Sequence, residues 1–208
     1  MHEEWGGEVQ FLDVITRQAH PGPEVQGYET FDQKKLDAEK FSREDNYTYP
    51  VLIDDLAGST HQVYGGLADP TYIIDADGRV AFYCLWTHAP TLHTALEELT
   101  EQDGRGVVMG GIHRRPHLLA TIADGWRGLR RGLPQSFIEL ELSAPGMASV
   151  PWLGHFVKPL LAPIALRSRP LPASAKIGLA IGAAALIGIV AGALISRKGD
   201  TDSNGEYR

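Results

Sequence analysis

Eight histidines, a single cysteine and a pair of adjacent aspartates are the side chains with which this 208-residue chain could do chemistry. The thiolate, not the thiol, is the nucleophilic form of cysteine. Cys84 lies within the apolar run RVAFYCL, where an inert buried thiol is the usual occupant; one-cysteine chemistry at an accessible, ionised Cys84 is the alternative. His113 and His117 stand four apart around Arg114 and Arg115 with no carboxylate or cysteine beside them, the pattern of a basic linker and not of a metal site. Asp54 and Asp55 end a strand ahead of a helix, which reads as an N-cap favoured by the helix dipole in preference to a magnesium site. His20 falls at the C-terminal end of a strand, where α/β proteins place their sites. It is the candidate for acid/base or substrate-positioning work, with an exposed loop histidine as the competing reading.

The elements that must position these groups follow from the hydropathy pattern. Val9–Arg17 (VQFLDVITR) reads as a central strand buried on both faces. Phe31–Asp45 reads as a surface helix with Phe31, Leu36 and Phe41 inward. Tyr49–Asp54 (YPVLID) is a second strand and Leu56–Tyr64 a short helix stopped by Gly65-Gly66. Thr71–Asp75 and Arg79–Leu85 form a hairpin around Asp77-Gly78, and Thr91–Thr100 closes the unit as an amphipathic helix. The order β-α-β-α-β-β-α defines an α/β domain over residues 1–102, with a Gly-rich boundary at Asp103–Gly111.

Charge divides the chain. Residues 1–106 hold 20 acidic and 7 basic side chains, whereas residues 107–175 hold 3 acidic and 8 basic. The first part is an acidic soluble body and the second a basic strip. A lone cysteine closes no intrachain disulfide, and the first residues, MHEEWGGEVQ, lack a basic and an apolar region of a signal peptide, so the domain is expected in the cytoplasm. No phosphate-cradling glycine motif and no basic patch interleaved with aromatics accompanies the acidic body, which argues against nucleotide and nucleic-acid ligands. No metal or other cofactor is implied.

The stretch YGGLADPTYIIDADGRVAFYC resembles the thioredoxin-fold pattern in which a proline ahead of a strand, here Pro70 before Thr71, is cis and faces the active site. One helix and one strand inserted before the hairpin make it similar to the redoxin and peroxiredoxin variation. FLDVITRQAHPG followed by YPVLIDDLAGSTHQVYGG resembles the iodothyronine deiodinase-like branch, whose strand ends in an acidic residue, Ala, His and Pro. Ala19, His20 and Pro21 match, and Gln18 stands at the acidic position. The resemblance covers residues 5–102. It implies a thiol or seleno oxidoreductase with a thiol electron donor, substrate contacts at Pro70 and Thr71, and a supporting role for His20. The nucleophile, a cysteine or a selenocysteine, would then lie upstream of Met1, with Glu3–Gly7 the tail of its helix. A short protein that has lost catalysis and serves as a membrane-bound interaction module is the alternative.

Ile177–Ile195 is free of charge, flanked by Lys176 and Arg197-Lys198, and long enough to span a bilayer core. A single-pass transmembrane helix over 176–198 with a polar tail at 199–208 is therefore expected, its partner the lipid bilayer. Gly178, Gly182, Gly188 and Gly192 share one face and offer a surface for homodimerisation. Residues 103–175 are expected to form a juxtamembrane region. In it, Leu118, Leu119, Ile122, Trp126, Leu129 and Leu133 share an arc of about 100°, with Arg127 and Arg131 facing away, which suits either an interfacial helix or one packed on the domain. Met147–Leu166, broken by Pro151, Pro159 and Pro163, is expected to be an irregular surface-seeking segment.

Overall fold

A β-hairpin with a helix laid across it supplies most of the buried apolar surface. In the computed structural model, which describes residues 1–18, 21, 23, 26–175 and 178, strands β3 (Thr71–Ile74) and β4 (Val80–Cys84) pair antiparallel. Asp75 makes the turn: its Oδ1 accepts from the amides of Asp77 and Arg79, and Gly78 takes the positive φ of 78° that the turn requires. On one face of the pair lies α4 (Ala89–Glu101), with Leu92, Ala95, Leu96 and Leu99 buried at helical spacing against Ile73, Ala81, Phe82 and Cys84. Burying an aromatic side chain as completely as Phe82 contributes about 1.5–3 kcal/mol.

Residues 1–169 form one compact α/β unit and residues 170–208 a second. The elements of the first follow the expected order. A helical turn α1 (His2–Trp5) precedes β1 (Asp13–Ile15), α2 (Phe31–Glu44), β2 (Val51–Ile53), α3 (Ser59–Val63), the hairpin and α4. The expected central strand at Val9–Arg17 is corrected. Its ladder closes over Asp13–Ile15 only, where all three residues are half-exposed, and β2, parallel to it, is its partner among the described residues. With no second neighbour among the described residues and its three side chains half-exposed, β1 is not enclosed there. Val9 and Phe11 instead pack beside Met1 and Trp5 on the edge of the hairpin core.

The inward face of α2 also differs from the expected stripe. Phe31 and Leu36 are exposed, and the buried positions are Lys34 and Ala38. A lysine can be buried here because its Nζ donates to the carbonyls of Asp54 (2.8 Å) and Asp55 (3.1 Å), replacing the water it gives up. Thr30 and Gln33 close a capping box at the start of the helix.

The stretch Asp103–Gly111 folds over the open side of the sheet. Val108 is fully buried in the core, and a two-residue strand β5 (Ile112–His113) pairs parallel with β4. Helix α5 (Leu118–Leu129), a 3-10 turn (Arg130–Gly132), α6 (Gln135–Ser143) and α7 (Ser149–Ala165) follow. The amphipathic segment forms α5, which lies against α7, a helix of the same region. Arg127 and Arg131, expected to face away, instead meet the acidic end of α2: Arg127 pairs with Asp45, and Arg131 pairs with Glu44 at 3.3 Å and covers the ring of Phe41. Two carboxylates at a helix C-terminus oppose the helix dipole, and the guanidinium groups offset them.

Met147–Leu166 is a further correction, since its residues Ser149–Ala165 form the 17-residue helix α7 instead of an irregular segment. Pro151 occupies its first turn, where no intrahelical donor is needed. Glu141 holds the start of the helix by accepting from the amides of Gly146, Ala148 and Ser149. Pro159 and Pro163 lie inside the helix, where packing on α5 outweighs the missing hydrogen bonds. No helix among the described residues is long and apolar enough to cross a membrane. The expected span lies outside them except at Gly178; Gly182, Gly188 and Gly192 lie outside as well.

The α5–α7 contact is close because two glycines face it. A methyl group on Gly154 would come within 2.0 Å of the Ile122 carbonyl oxygen, and one on Gly125 would meet Pro151 at 3.4 Å. Gly154→Ala is therefore expected to destabilise the protein by about 1–3 kcal/mol or more. Gly128→Ala, where an added methyl meets nothing within 4 Å, should be stabilising by up to about 1 kcal/mol. Urea denaturation of the two variants in detergent, followed by circular dichroism, checks the contrast.

Candidate functional site

Two places gather polar side chains. The first is a cleft of about 270 Å³ at the C-terminal end of β1, lined by Thr16, Arg17 and Gln18 from the chain leaving the strand. Tyr28, Phe41, Tyr47 and Arg131 are among the other residues that wall it. Tyr28 donates to Asp37 at 2.5 Å. Burial raises the Tyr28 phenol well above its ordinary range and the Asp37 carboxylate raises it further; burial with Asp13 does the same for Tyr47. Both phenols are hydrogen-bond donors at any physiological pH. The cleft is at the position where an α/β domain presents its ligands. His20, expected at this strand end, lies outside the described residues.

The second place is the far end of the hairpin. Cys84 sits in the middle strand, between Thr71 on β3 and His113 on β5, and is fully buried. Burial pushes its thiol upward, opposed only in part by donors at Thr71 and His88. That is the environment of an inert cysteine. Thr71 shares a hydroxyl hydrogen bond with Thr87 (2.7 Å), and Thr87 donates to the Asp69 carbonyl through its amide and hydroxyl.

The peptide bond before Pro70 is trans, which corrects the expected cis form; among the described residues the only cis bond precedes Pro134. Asp69 is held in a parallel bridge with Trp86, so the chain is already extended as it enters β3, and a trans proline continues that direction. Pro70 and Thr71 therefore lead into the strand beside Cys84 without the bend assumed for a substrate-facing loop.

Beside Cys84 three imidazoles stack. His88 at the start of α4 lies parallel to His117 with ring centres 3.5 Å apart, and His113 follows at 5.0 Å from His117. His88 Nδ1 meets the Thr91 hydroxyl at 2.9 Å, while His113 Nδ1 and His117 Nε2 are buried without a hydrogen-bond partner. Burial lowers all three. His88 falls to about 4, with His117, Arg167 and His113 adding to the effect. The stack is neutral at pH 7. Parallel rings do not aim their lone pairs at one point, and no cluster of three or more His, Cys, Asp or Glu side chains among the described residues could hold a metal ion. The juxtaposition of His88 with His113 and His117, elements 25 residues apart, was not legible in sequence because only β5 brings them together.

Asp54 has the structural role expected of it. Burial opposes its ionisation, but amides of His61, Thr60 and Asp55 outweigh burial and hold its carboxyl at about 2. With Asp55 accepting from Ser59 it caps α3. His93, not singled out by sequence, is buried on α4 and joins α1 through Glu4 (3.2 Å) and an edge contact with Trp5.

Comparison of this chain with protein-family models, with curated proteins and with solved structures found no match.

Two outcomes follow from this geometry. Alkylation of Cys84 by iodoacetamide should be at least about 100-fold slower in the native protein than in denaturant, because a buried, protonated thiol reacts only on opening. For the stack, the unfolded chain binds protons first as pH falls below about 6.5. Its contribution is thus complete above that pH and is lost progressively down to about 4. A His88→Asn, His117→Gln double variant should lose less stability than the native protein between those limits, as measured by urea unfolding across the pH series.

Proposed function

We propose that this chain is the membrane-anchored body of a thioredoxin-like oxidoreductase of the redoxin or deiodinase-like type, whose nucleophilic cysteine or selenocysteine is encoded upstream of Met1. The observation that carries this reading is the division of the sheet. β1 pairs with β2 in one sheet and β3, β4 and β5 form the other, so among the described residues one edge of β1 and one edge of β3 are left without a named strand. In a redoxin, a strand bearing the nucleophile at its C-terminal end occupies the middle of the sheet. The helical turn α1, packed through Met1 and Trp5 on the hairpin core, supports this reading as the tail of the helix that such a nucleophile would begin. The buried, protonated state of Cys84 is consistent with the reactive sulfur or selenium being elsewhere.

In this reading the cleft at the end of β1 receives the substrate, and the Tyr28 and Tyr47 phenols, whose protons are held by Asp37 and Asp13, offer it their oxygens as acceptors. A thiol donor returns the oxidised nucleophile to its reduced form. The run 177–195 anchors the enzyme with its domain in the cytoplasm, and Gly178, Gly182, Gly188 and Gly192 offer a homodimer contact in the bilayer.

The genomic codons upstream of Met1 test this. The expected frame encodes an apolar strand, then a loop with a Cys codon or an in-frame TGA at a helix start. The protein expressed with that segment should reduce a disulfide or peroxide substrate with dithiothreitol as donor, and a serine at the nucleophile should abolish turnover. Absence of such a frame, or turnover undiminished by the serine, overturns the proposal and favours a non-catalytic interaction module, whose exposed strand edges a partner would cover.

A further inference from the structure

Helix α7 carries one charged residue in 17, and that residue, Lys158, is turned inward onto Asp124 of α5. Pro151, Gly154 and Ala165 are buried on the same side. The outward side carries no Lys, Arg, Asp or Glu, and its one titratable side chain, His155, lies at the edge of the arc against Phe156. Trp152, Leu153, Phe156, Val157 and Leu160 are exposed, Phe156 by 67% and Leu160 by 78%. At about 100° per residue the exposed positions from Trp152 to Pro163 sweep about 200° of the helix. Soluble proteins rarely leave so continuous an apolar surface in water.

We propose that the outward face of α7 lies in the interfacial layer of a lipid bilayer, parallel to the membrane plane, so that the compact unit of residues 1–169 is docked on the membrane and not merely tethered to it. The proposal rests on the reading of residues 177–195 as a membrane span. Eleven residues separate Ala165 from Ile177, and at no more than about 3.6 Å each they keep the end of α7 within about 40 Å of the bilayer. A helix of 17 residues is about 25 Å long and, with its lysine engaged by α5, is suited to lie along the interface and not across it. Trp152 and Phe156, in edge-to-face contact, supply aromatic surface at the level where amphipathic rings partition. Lipid is favoured over a second protein copy by the width of the face. A packing partner covers a stripe of about 100°, whereas a continuous apolar solvent wets the whole arc.

The face is also not the one hydropathy alone selects. The amphipathic segment 118–133 has the stronger sequence pattern, but much of its apolar side faces inward, with Ala123 and Leu129 buried and only Leu118 and Leu119 at its start exposed. Its partner, less regular in sequence, is left presenting apolar surface outward.

The test uses the full chain in phosphatidylcholine–phosphatidylglycerol vesicles, in a Cys84→Ala background, with a nitroxide placed singly by Phe156→Cys, Leu160→Cys, Lys35→Cys or Ala184→Cys. Collision with oxygen, which partitions into lipid, is compared with collision with a water-soluble nickel chelate. The expected result is an oxygen-to-nickel ratio at 156 and 160 severalfold above that at 35, at a depth shallower than that at 184. Labels at 156 and 160 open to nickel while the label at 184 is in lipid overturn the α7 proposal and leave the span standing. A label at 184 open to nickel overturns the span and the docking with it. Protection at 156 and 160 from both reagents, with spin–spin broadening between copies, assigns the face to a second copy and overturns the proposal as well.

Discussion

The close crossing of α5 and α7 is the constraint on which the second half of the molecule depends. Two helices approach this nearly only where side chains are absent, and Gly125 and Gly154 provide that absence on facing surfaces. Once α7 is seated, its orientation is fixed. Lys158 turns to Asp124, and the rest of an almost uncharged helix has nowhere to go but outward. The same seating carries the turn after α5 to α2, where Arg131 walls the cleft at the end of β1. Packing in one place thus decides both the exposed apolar surface and one side of the candidate site.

The first half is organised by the hairpin and α4, and its polar groups are mostly spent on structure. Asp54 and Asp55 cap α3, Lys34 satisfies their carbonyls from within the fold, and Asp75 builds the hairpin turn. Such groups look like catalytic candidates in a sequence because chemistry and capping use the same side chains. What distinguishes them is the geometry of their donors. A carboxylate filled by three backbone amides, as Asp54 is, has few acceptor positions left for a substrate or a metal.

The local elements of the first 102 residues were legible where periodicity and turn chemistry agree, as at the Asp77-Gly78 hairpin, α4 and the capped α2. Enclosure was not legible. The run VQFLDVITR has the composition of a buried strand, but composition does not say whether neighbours are present on both edges, and β1 has one among the described residues. The stripe on α2 failed for a related reason: a lysine with two carbonyl acceptors is an interior residue here, and no hydropathy scale anticipates that. Prolines 159 and 163 argued against a helix that tertiary packing nevertheless forms. Of the candidate site, Thr71 and Cys84 were correctly placed on neighbouring strands, whereas the trans bond at Pro70 and the three stacked histidines depended on contacts distant in sequence.

The wall that Arg131 lends to the cleft is electrostatic in origin. Arg131 reaches Glu44 at the acidic end of α2 through an ion pair whose two partners retain contact with solvent, whereas Arg127 meets a largely buried Asp45. Exposed pairs of this kind are individually weak, and the distance over which charges sense one another shrinks from about 10 Å at 0.1 M salt to about 3 Å at 1 M. The turn after α5 is therefore fastened to the end of α2 by a contact whose strength varies with ionic strength, whereas the glycine-lined helix crossing beside it is held by packing. Salt becomes a means of loosening one side of the cleft without disturbing the helix pair that presents the apolar face.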